Sequence, residues 1–97
     1  MQEDLVPVDI FCLHYNIELD FVNALQEFGL IEITIVEDTK FISLHQLNAL
    51  EKFVRLHYEM GINLEGVDAV THLLQRLNAM QGEITALKNK LRLYDAN

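Results

Sequence analysis

Residues 19–36, LDFVNALQEFGLIEITIV, change from a helical pattern to a strand pattern within one segment. In the first half, four apolar residues recur at helical spacing and predict a helix over residues 19–28: Leu19, Val22, Leu25 and Phe28. Gly29 follows at the position of a left-handed C-terminal cap. In the second half, isoleucines at positions 31, 33 and 35 alternate with other residues, the pattern of a half-buried strand. The segment therefore predicts a helix that leads directly into a strand.

The residues before this segment predict a second, shorter helix. Pro7 can occupy the first turn of a helix over residues 8–15, with Ile10 and Leu13 facing inward together with Phe11. Residues 16–18 then form a short turn. The result is a helix-turn-helix pattern.

The residues after the segment predict a hairpin and two further helices. Residues 37–40 are a polar turn, and Phe41 with Ile42 forms the return strand. Ser43 and Gln46 match a capping box. The helix that they open ends at Gly61 and carries apolar residues on one side, Leu47, Leu50, Phe53 and Val54. Asn63 then provides the N-cap of a helix that continues from Leu64 nearly to the end of the chain.

The last helix has the most regular apolar pattern in the sequence. One set of apolar residues repeats every seven positions and a second set repeats three positions behind it: Val70, Leu77, Ile84 and Leu91, then Leu73, Met80, Leu87 and Tyr94. This heptad pattern predicts a coiled-coil dimerisation arm. The alternative is that the stripe packs on the chain's own domain, although a helix of roughly 30 residues spans about 45 Å and outreaches it.

These elements together predict a mostly α fold of one structural unit. A winged helix, made of a helix-turn-helix and a β-hairpin wing, occupies residues 1–62. The C-terminal coiled-coil helix occupies residues 63–97. Because a chain of 97 residues buries a limited core, pairing with a second copy would add stability.

Charge is distributed unevenly along the chain. The net charge is −8, and all seven Lys and Arg residues lie at Lys40 or beyond. Residues 1–39 contain no Lys or Arg and nine acids: Glu3, Asp4, Asp9, Glu18, Asp20, Glu27, Glu32, Glu37 and Asp38. One interpretation is a solvated acidic surface. The other is an acidic docking face for a basic partner.

Chemistry-bearing residues do not form a catalytic or metal-binding pattern. The sequence has no Gly-rich phosphate loop, nucleophile elbow or HExxH motif, so we expect neither an enzyme nor a cofactor. Cys12 is the single cysteine and has the surroundings of a small core residue. It could share a metal with His14 only if a partner chain completed the site. His57 lies on the apolar side of its helix and is interpreted as a core histidine.

Two segments resemble MerR-type regulators. Residues 25–31, LQEFGLI, resemble the end of their second helix, and residues 60–67, MGINLEGV, look like their junction between the third and fourth helices. The DNA-binding members open the second helix with a Ser or Thr cap, then Pro and Arg, with another Arg three residues after the first. This chain has Glu18, Leu19, Asp20 and Asn23 in that register. Because nonspecific DNA affinity comes from neutralising phosphates, we expect this surface to repel DNA.

Three further segments are similar to the chaperone-modulator (CbpM) family, small MerR-like proteins that lack a DNA-binding function. They are residues 53–66, FVRLHYEMGINLEG, residues 73–76, LLQR, and residues 87–94, LKNKLRLY. The resemblance implies a protein that binds the J-domain of a DnaJ-like co-chaperone and blocks its work with Hsp70. J-domains carry a basic second helix, which an acidic face would complement.

The expected partner-binding residues follow from charge and not from the resemblance: Glu18, Asp20, Glu27, Glu32, Glu37 and Asp38. Two alternatives remain open, a MerR-type DNA-binding transcriptional regulator and a purely structural coiled-coil module. The acidic N-terminal residues and the absence of an apolar run of about 20 residues predict a cytoplasmic protein.

Overall fold

The helix predicted to end at Gly29 is present in the structure, a computed structural model that describes residues 4–95, and the strand that follows it begins at Thr34. The elements in chain order are strand β1 (Leu5–Pro7), helices α1 (Val8–Tyr15) and α2 (Leu19–Glu27), strands β2 (Thr34–Val36) and β3 (Thr39–Ser43), a 3₁₀ turn (Leu44–Gln46), helix α3 (Leu47–Val54), a π-helical segment (Arg55–Glu59) and helix α4 (Leu64–Asp95). This is a mostly helical chain with a small antiparallel sheet, consistent with the winged-helix prediction.

Helix α2 ends at Gly29 in the predicted manner. Gly29 has a φ of 76°, a left-handed conformation that costs glycine little because it has no Cβ. The Leu30 amide donates to the Leu25 carbonyl at 3.0 Å and the Gly29 amide to the Gln26 carbonyl at 2.9 Å, the two bonds of a Schellman motif. The cap prediction is confirmed.

The strand after Gly29 is shorter than predicted, because the side chain of Gln46 makes the backbone hydrogen bonds at Glu32 that a neighbouring strand would make. The Glu32 amide donates to Gln46 Oε1 at 2.7 Å, and Gln46 Nε2 donates to the Glu32 carbonyl at 2.9 Å. Gln46 also donates to Ser43 Oγ at 3.1 Å, and neither residue makes a capping bond. The predicted capping box is therefore wrong: Gln46 satisfies the backbone of Glu32 and not a helix end.

The hairpin turn has two residues and not the predicted four. Val36 pairs with Thr39, so Thr39 and Lys40 belong to β3. The two turn residues, Glu37 and Asp38, have φ values of 49° and 64°, as a two-residue type I′ hairpin loop requires. A third strand, which the sequence analysis missed, pairs β1 with β3 and gives the order β1-β3-β2. With only three residues, β1 is too short for its periodicity to be detected.

Helix α1 presents a different face to the core from the one predicted. Val8 and Phe11 are buried, and Cys12 and Tyr15 are half-buried, at the i, i+3, i+4 and i+7 positions of one stripe. The Phe11 and Tyr15 rings pack with centroids 4.6 Å apart. Because the larger rings occupy the inner stripe, the predicted inward orientation of Ile10 and Leu13 is wrong.

The core draws on almost every element. In α2, Val22 and Leu25 are buried as predicted, Phe21 joins them, and Leu19 and Phe28 are exposed. The buried apolar residues are Val8, Phe11, Ile17, Phe21, Val22, Leu25, Ile31, Ile42, Leu50, Phe53 and Val67. We call the part of the fold around this core, residues 4–67, the head. Its last core residue, Val67, lies within α4.

Helix α4 begins where the sequence predicted. Asn63 Oδ1 accepts the Gly66 amide at 2.8 Å, which confirms the N-cap. The helix has 32 residues and therefore a length of about 48 Å. Within residues 4–95 no helix is both long and apolar enough to cross a membrane.

The two hydrogen bonds between the Gln46 side chain and the Glu32 backbone, which we call the Gln46 clamp, can be tested by substitution. Replacing Gln46 by Ala removes both bonds to the Glu32 backbone, and we expect a loss of about 1–2 kcal/mol in the free energy of unfolding by urea. The Glu32 amide should also exchange with solvent faster. The control Gln26→Ala removes an exposed glutamine of α2. Equal stability of the two variants would contradict the clamp.

Candidate docking face

The six acids predicted to bind a partner, which we call the acidic face, are all exposed: Glu18, Asp20, Glu27, Glu32, Glu37 and Asp38. They come from four places in the head. Glu18 precedes α2, Asp20 and Glu27 lie on α2, Glu32 follows the helix, and the last two form the hairpin turn. The structure thus keeps every carboxylate of the set accessible to a partner.

Two of these acids share the outer side of α2. Its buried residues define the inner side, and the opposite side of the helical wheel carries Asp20, Asn23 and Glu27. Asp20 and Glu27 are seven residues apart, so they lie almost in line along the helix. The outer side of α2 therefore has two negative charges and no positive one.

The hairpin wing lies beside this side of α2. Lys40 of β3 donates from Nζ to Asn23 Oδ1 at 3.3 Å, which links the wing to the helix. Lys40 is the only Lys or Arg in the first 51 residues of the sequence. The Lys40 ammonium is thus engaged by an uncharged amide.

The hairpin tip also approaches α1. A shallow depression of about 240 Å³ is lined by Asp9, Leu19, Asp38, Thr39 and Lys40. Asp38 and Asp9 therefore line the same depression. Asp9 is one of the nine acids of residues 1–39 but was not among the six predicted partner-binding residues. The available signal was its position in the first turn of a predicted helix, two residues after Pro7, but the pairing of β1 with β3 that brings it to the hairpin was not predicted.

Glu18 and Glu32 are attached to other parts of the head. The Glu18 amide donates to the Tyr58 hydroxyl at 3.2 Å, and the Glu32 backbone is held by Gln46. In both residues the backbone makes the contact, so the carboxylates remain exposed. Contact between the hairpin and α2 is made by Lys40 with Asn23. The backbones of Glu18 and Glu32 are held by other parts of the head, at Tyr58 and Gln46.

His57 and Cys12 have structural surroundings. His57 is half-buried, its Nδ1 lies 2.7 Å from the Ile62 carbonyl oxygen, and its ring stacks on Phe21 at 4.7 Å, which confirms a core histidine. Cys12 packs against the core, and its burial, helped by the Asp9 charge, raises the pKa of the Cys12 thiol. A raised pKa lowers the thiolate fraction and hence its reactivity. Over the described range 4–95, no three His, Cys, Asp or Glu residues are grouped as metal ligands would be.

The predicted dimerisation residues form an uncovered stripe along α4, which we call the apolar stripe. Val70 is half-buried, and the other seven are 45–80% exposed: Leu73, Leu77, Met80, Ile84, Leu87, Leu91 and Tyr94. The alternative that the stripe packs on the chain's own domain is therefore wrong for these seven. The head buries α4 at Val67 and leaves these seven side chains exposed.

Comparison with known proteins agrees with this architecture. The family described as MerR HTH family regulatory protein matches residues 6–89, from β1 into the second half of α4. The chaperone modulatory protein CbpM of Escherichia coli O1:K1 / APEC is 23% identical over 88 residues, which are 90% of this chain and 87% of that protein. The CbpM proteins of Escherichia coli O45:K1 (strain S88 / ExPEC) and O81 (strain ED1a) match to the same extent.

The acidic hairpin turn stores backbone strain that a substitution can release. Left-handed conformations disfavour residues with a Cβ, so we expect Asp38→Gly to raise the free energy of unfolding by about 0.5–1 kcal/mol. The matched control, Asp20→Gly, removes the same charge but places glycine in a helix and should lower stability by about 1 kcal/mol. Urea unfolding of both variants measures the difference. A loss of stability in Asp38→Gly would contradict the turn conformation.

Proposed function

The chain belongs to the MerR HTH family of regulatory proteins, and on that premise we propose that it modulates a DnaJ-like co-chaperone by binding its J-domain. The observation that carries the proposal is the acidic face, on a helix and wing that would have to be basic to hold DNA. The similarity to proteins named chaperone modulatory protein supports the choice of partner.

Charge argues against the alternative function, a MerR-type transcriptional regulator. In a helix-turn-helix protein the second helix enters the major groove, and phosphate contacts by Lys and Arg supply most of the nonspecific affinity. Here the outer side of α2 carries Asp20 and Glu27, and the wing contributes Lys40 alone. The family description keeps the regulator as the second candidate, but this surface would repel a duplex.

The same charges suit a basic protein helix. The second helix of a J-domain is basic and is the part that engages Hsp70, as the resemblance to chaperone modulators implies. Oppositely charged surfaces steer partners together and speed their association. A chain that occupies this helix would keep Hsp70 from it, so modulation follows from competition for one surface and needs no catalysis.

Dimerisation through the apolar stripe completes the proposal. Seven of its eight side chains are exposed, and a stripe of this length on a monomer is a large apolar surface that a partner would cover. The heptad spacing suits a second copy of the same helix. A groove beside it, of about 630 Å³ and lined in part by Phe53, Leu56 and Leu74, would extend the buried surface. The dimer would present two acidic faces.

A double substitution in the stripe tests the dimer. Replacing Leu77 and Ile84 by Asp places charges in the seam, at a cost of several kcal/mol each. Analytical ultracentrifugation should then report a monomer with the helix content retained. The control is Leu93→Asp, because Leu93 is exposed on α4 but outside the heptad core, and this variant should remain dimeric. A wild type that sediments as a monomer at roughly tens of micromolar would contradict the dimer.

Charge reversal tests the acidic face. Replacing Asp20 and Glu27 by Lys should weaken binding to a purified J-domain, by about tenfold or more at low salt, and reduce its salt dependence. Reversing Glu59 and Asp95 instead gives the same change in net charge away from the acidic face and should have a much smaller effect. Titration calorimetry measures the affinities, and circular dichroism checks the fold. Equal affinities of the two double variants would place the binding surface elsewhere.

A further inference from the structure

Helix α1 exposes two aliphatic side chains on its outer side. Leu13 is 83% exposed, the largest exposed fraction of any large hydrophobic side chain in residues 4–95, and Ile10 is 58% exposed. They are three residues apart, so they are neighbours on the helix surface. We call Ile10 and Leu13 the anchor pair. The core of the head uses the opposite side of α1, so folding does not require them.

Acidic side chains border the anchor pair on one side. Asp9 lies four residues before Leu13 on the same side of α1, and the depression at the hairpin tip joins Asp9 to Asp38 and Leu19. Leu19 is itself exposed and adds a third aliphatic group at the edge of this surface. The surface thus has an apolar pair with acidic side chains along one edge, and protein–protein interfaces likewise combine an apolar centre with a polar border.

We infer that the anchor pair, bordered by Asp9 and Asp38, is the apolar centre of the docking surface and receives a basic amphipathic helix of the partner protein. This inference rests on the proposed function and assigns the contacts from which most of the affinity would come. A helix that lays its apolar residues on Ile10 and Leu13 can place Lys or Arg side chains from its flank next to the two aspartates. The acids of α2 then act at longer range, on the rate of association.

The acidic charge and the exposed apolar pair together favour a basic amphipathic helix as the occupant of this surface. An acidic helix would meet Asp9 and Asp38 as like charges, and a wholly polar helix would leave the anchor pair in water. The C-terminal half of α4 from a second copy is basic, with Lys88, Lys90 and Arg92. Its apolar residues, however, belong to the apolar stripe, so in the proposed dimer they are not free to cover α1.

The test replaces the apolar centre without changing charge. Titration calorimetry with the isolated J-domain of a DnaJ-like co-chaperone compares the wild type with the variant Ile10→Ser, Leu13→Ser. We expect at least a tenfold loss of affinity with an unchanged salt dependence, because the few residues packed at the centre of an interface contribute most of the binding free energy. The control Leu93→Ser removes a similarly exposed leucine from α4 and should bind as the wild type does. Both variants should keep the wild-type urea midpoint.

A second variant tests the two bordering aspartates separately from the anchor pair. Asp9→Asn with Asp38→Asn keeps the anchor pair and should reduce the salt dependence of binding. Wild-type affinity in the Ile10→Ser, Leu13→Ser variant would overturn this inference and leave the proposed function standing. No binding by the wild type would overturn both. Dissociation of the wild-type dimer by the two serines, measured by sedimentation, would assign the anchor pair to a second copy and would also overturn the inference.

Discussion

The placement of every surface in this molecule depends on a set of side chains with no exposed area, Val22, Leu25, Ile42, Leu50 and Val67. They come from α2, β3, α3 and α4, and their close packing allows each element only one orientation. This packing turns Asp20 and Glu27 outward on α2, and it joins the first turns of α4 to the head. The uncovered length of α4, and with it the apolar stripe, is a consequence of where Val67 is buried.

The head has the scaffold of a helix-turn-helix protein, but its second helix is acidic where that of a DNA-binding member is basic. Lys40, the basic residue of the wing, bonds to Asn23, and the outer side of α2 is negative. A fold of this kind does not specify its ligand, because the ligand is chosen by the groups on the surface. With acids on α2 and the hairpin and aliphatic groups on α1, the surface suits a basic protein better than a polyanion. The proposed chaperone partner is consistent with this change.

Local signals in the sequence predicted local structure well. Gly29 as a left-handed cap and Asn63 as an N-cap were correct, because each depends on residues within one helical turn. The Ser43–Gln46 capping box was wrong, although its spacing is equally local. Gln46 found a better partner in Glu32, fourteen residues away in sequence, and satisfied two backbone groups there. The strand predicted at residues 31–33 is absent, and the pairing of β1 was not predicted. Both errors have the same cause, since these features depend on contacts between distant segments.

The amino-acid sequence was enough to predict the order of the four helices and the hairpin, the heptad pattern of α4 and the separation of acidic from basic residues. Periodicity and charge belong to the chain in any conformation. Which side of α1 is buried depends on packing against other elements. An eight-residue helix with Val8, Ile10, Phe11 and Leu13 has apolar residues on all sides, so its pattern selects no face. Phe11 and Tyr15 lie on the inner side of α1, where their rings pack together, and this packing leaves Ile10 and Leu13 on the surface. It was likewise the pairing of β1 with β3 that carried Asp9 to Asp38, because strand register fixes positions that sequence separation does not.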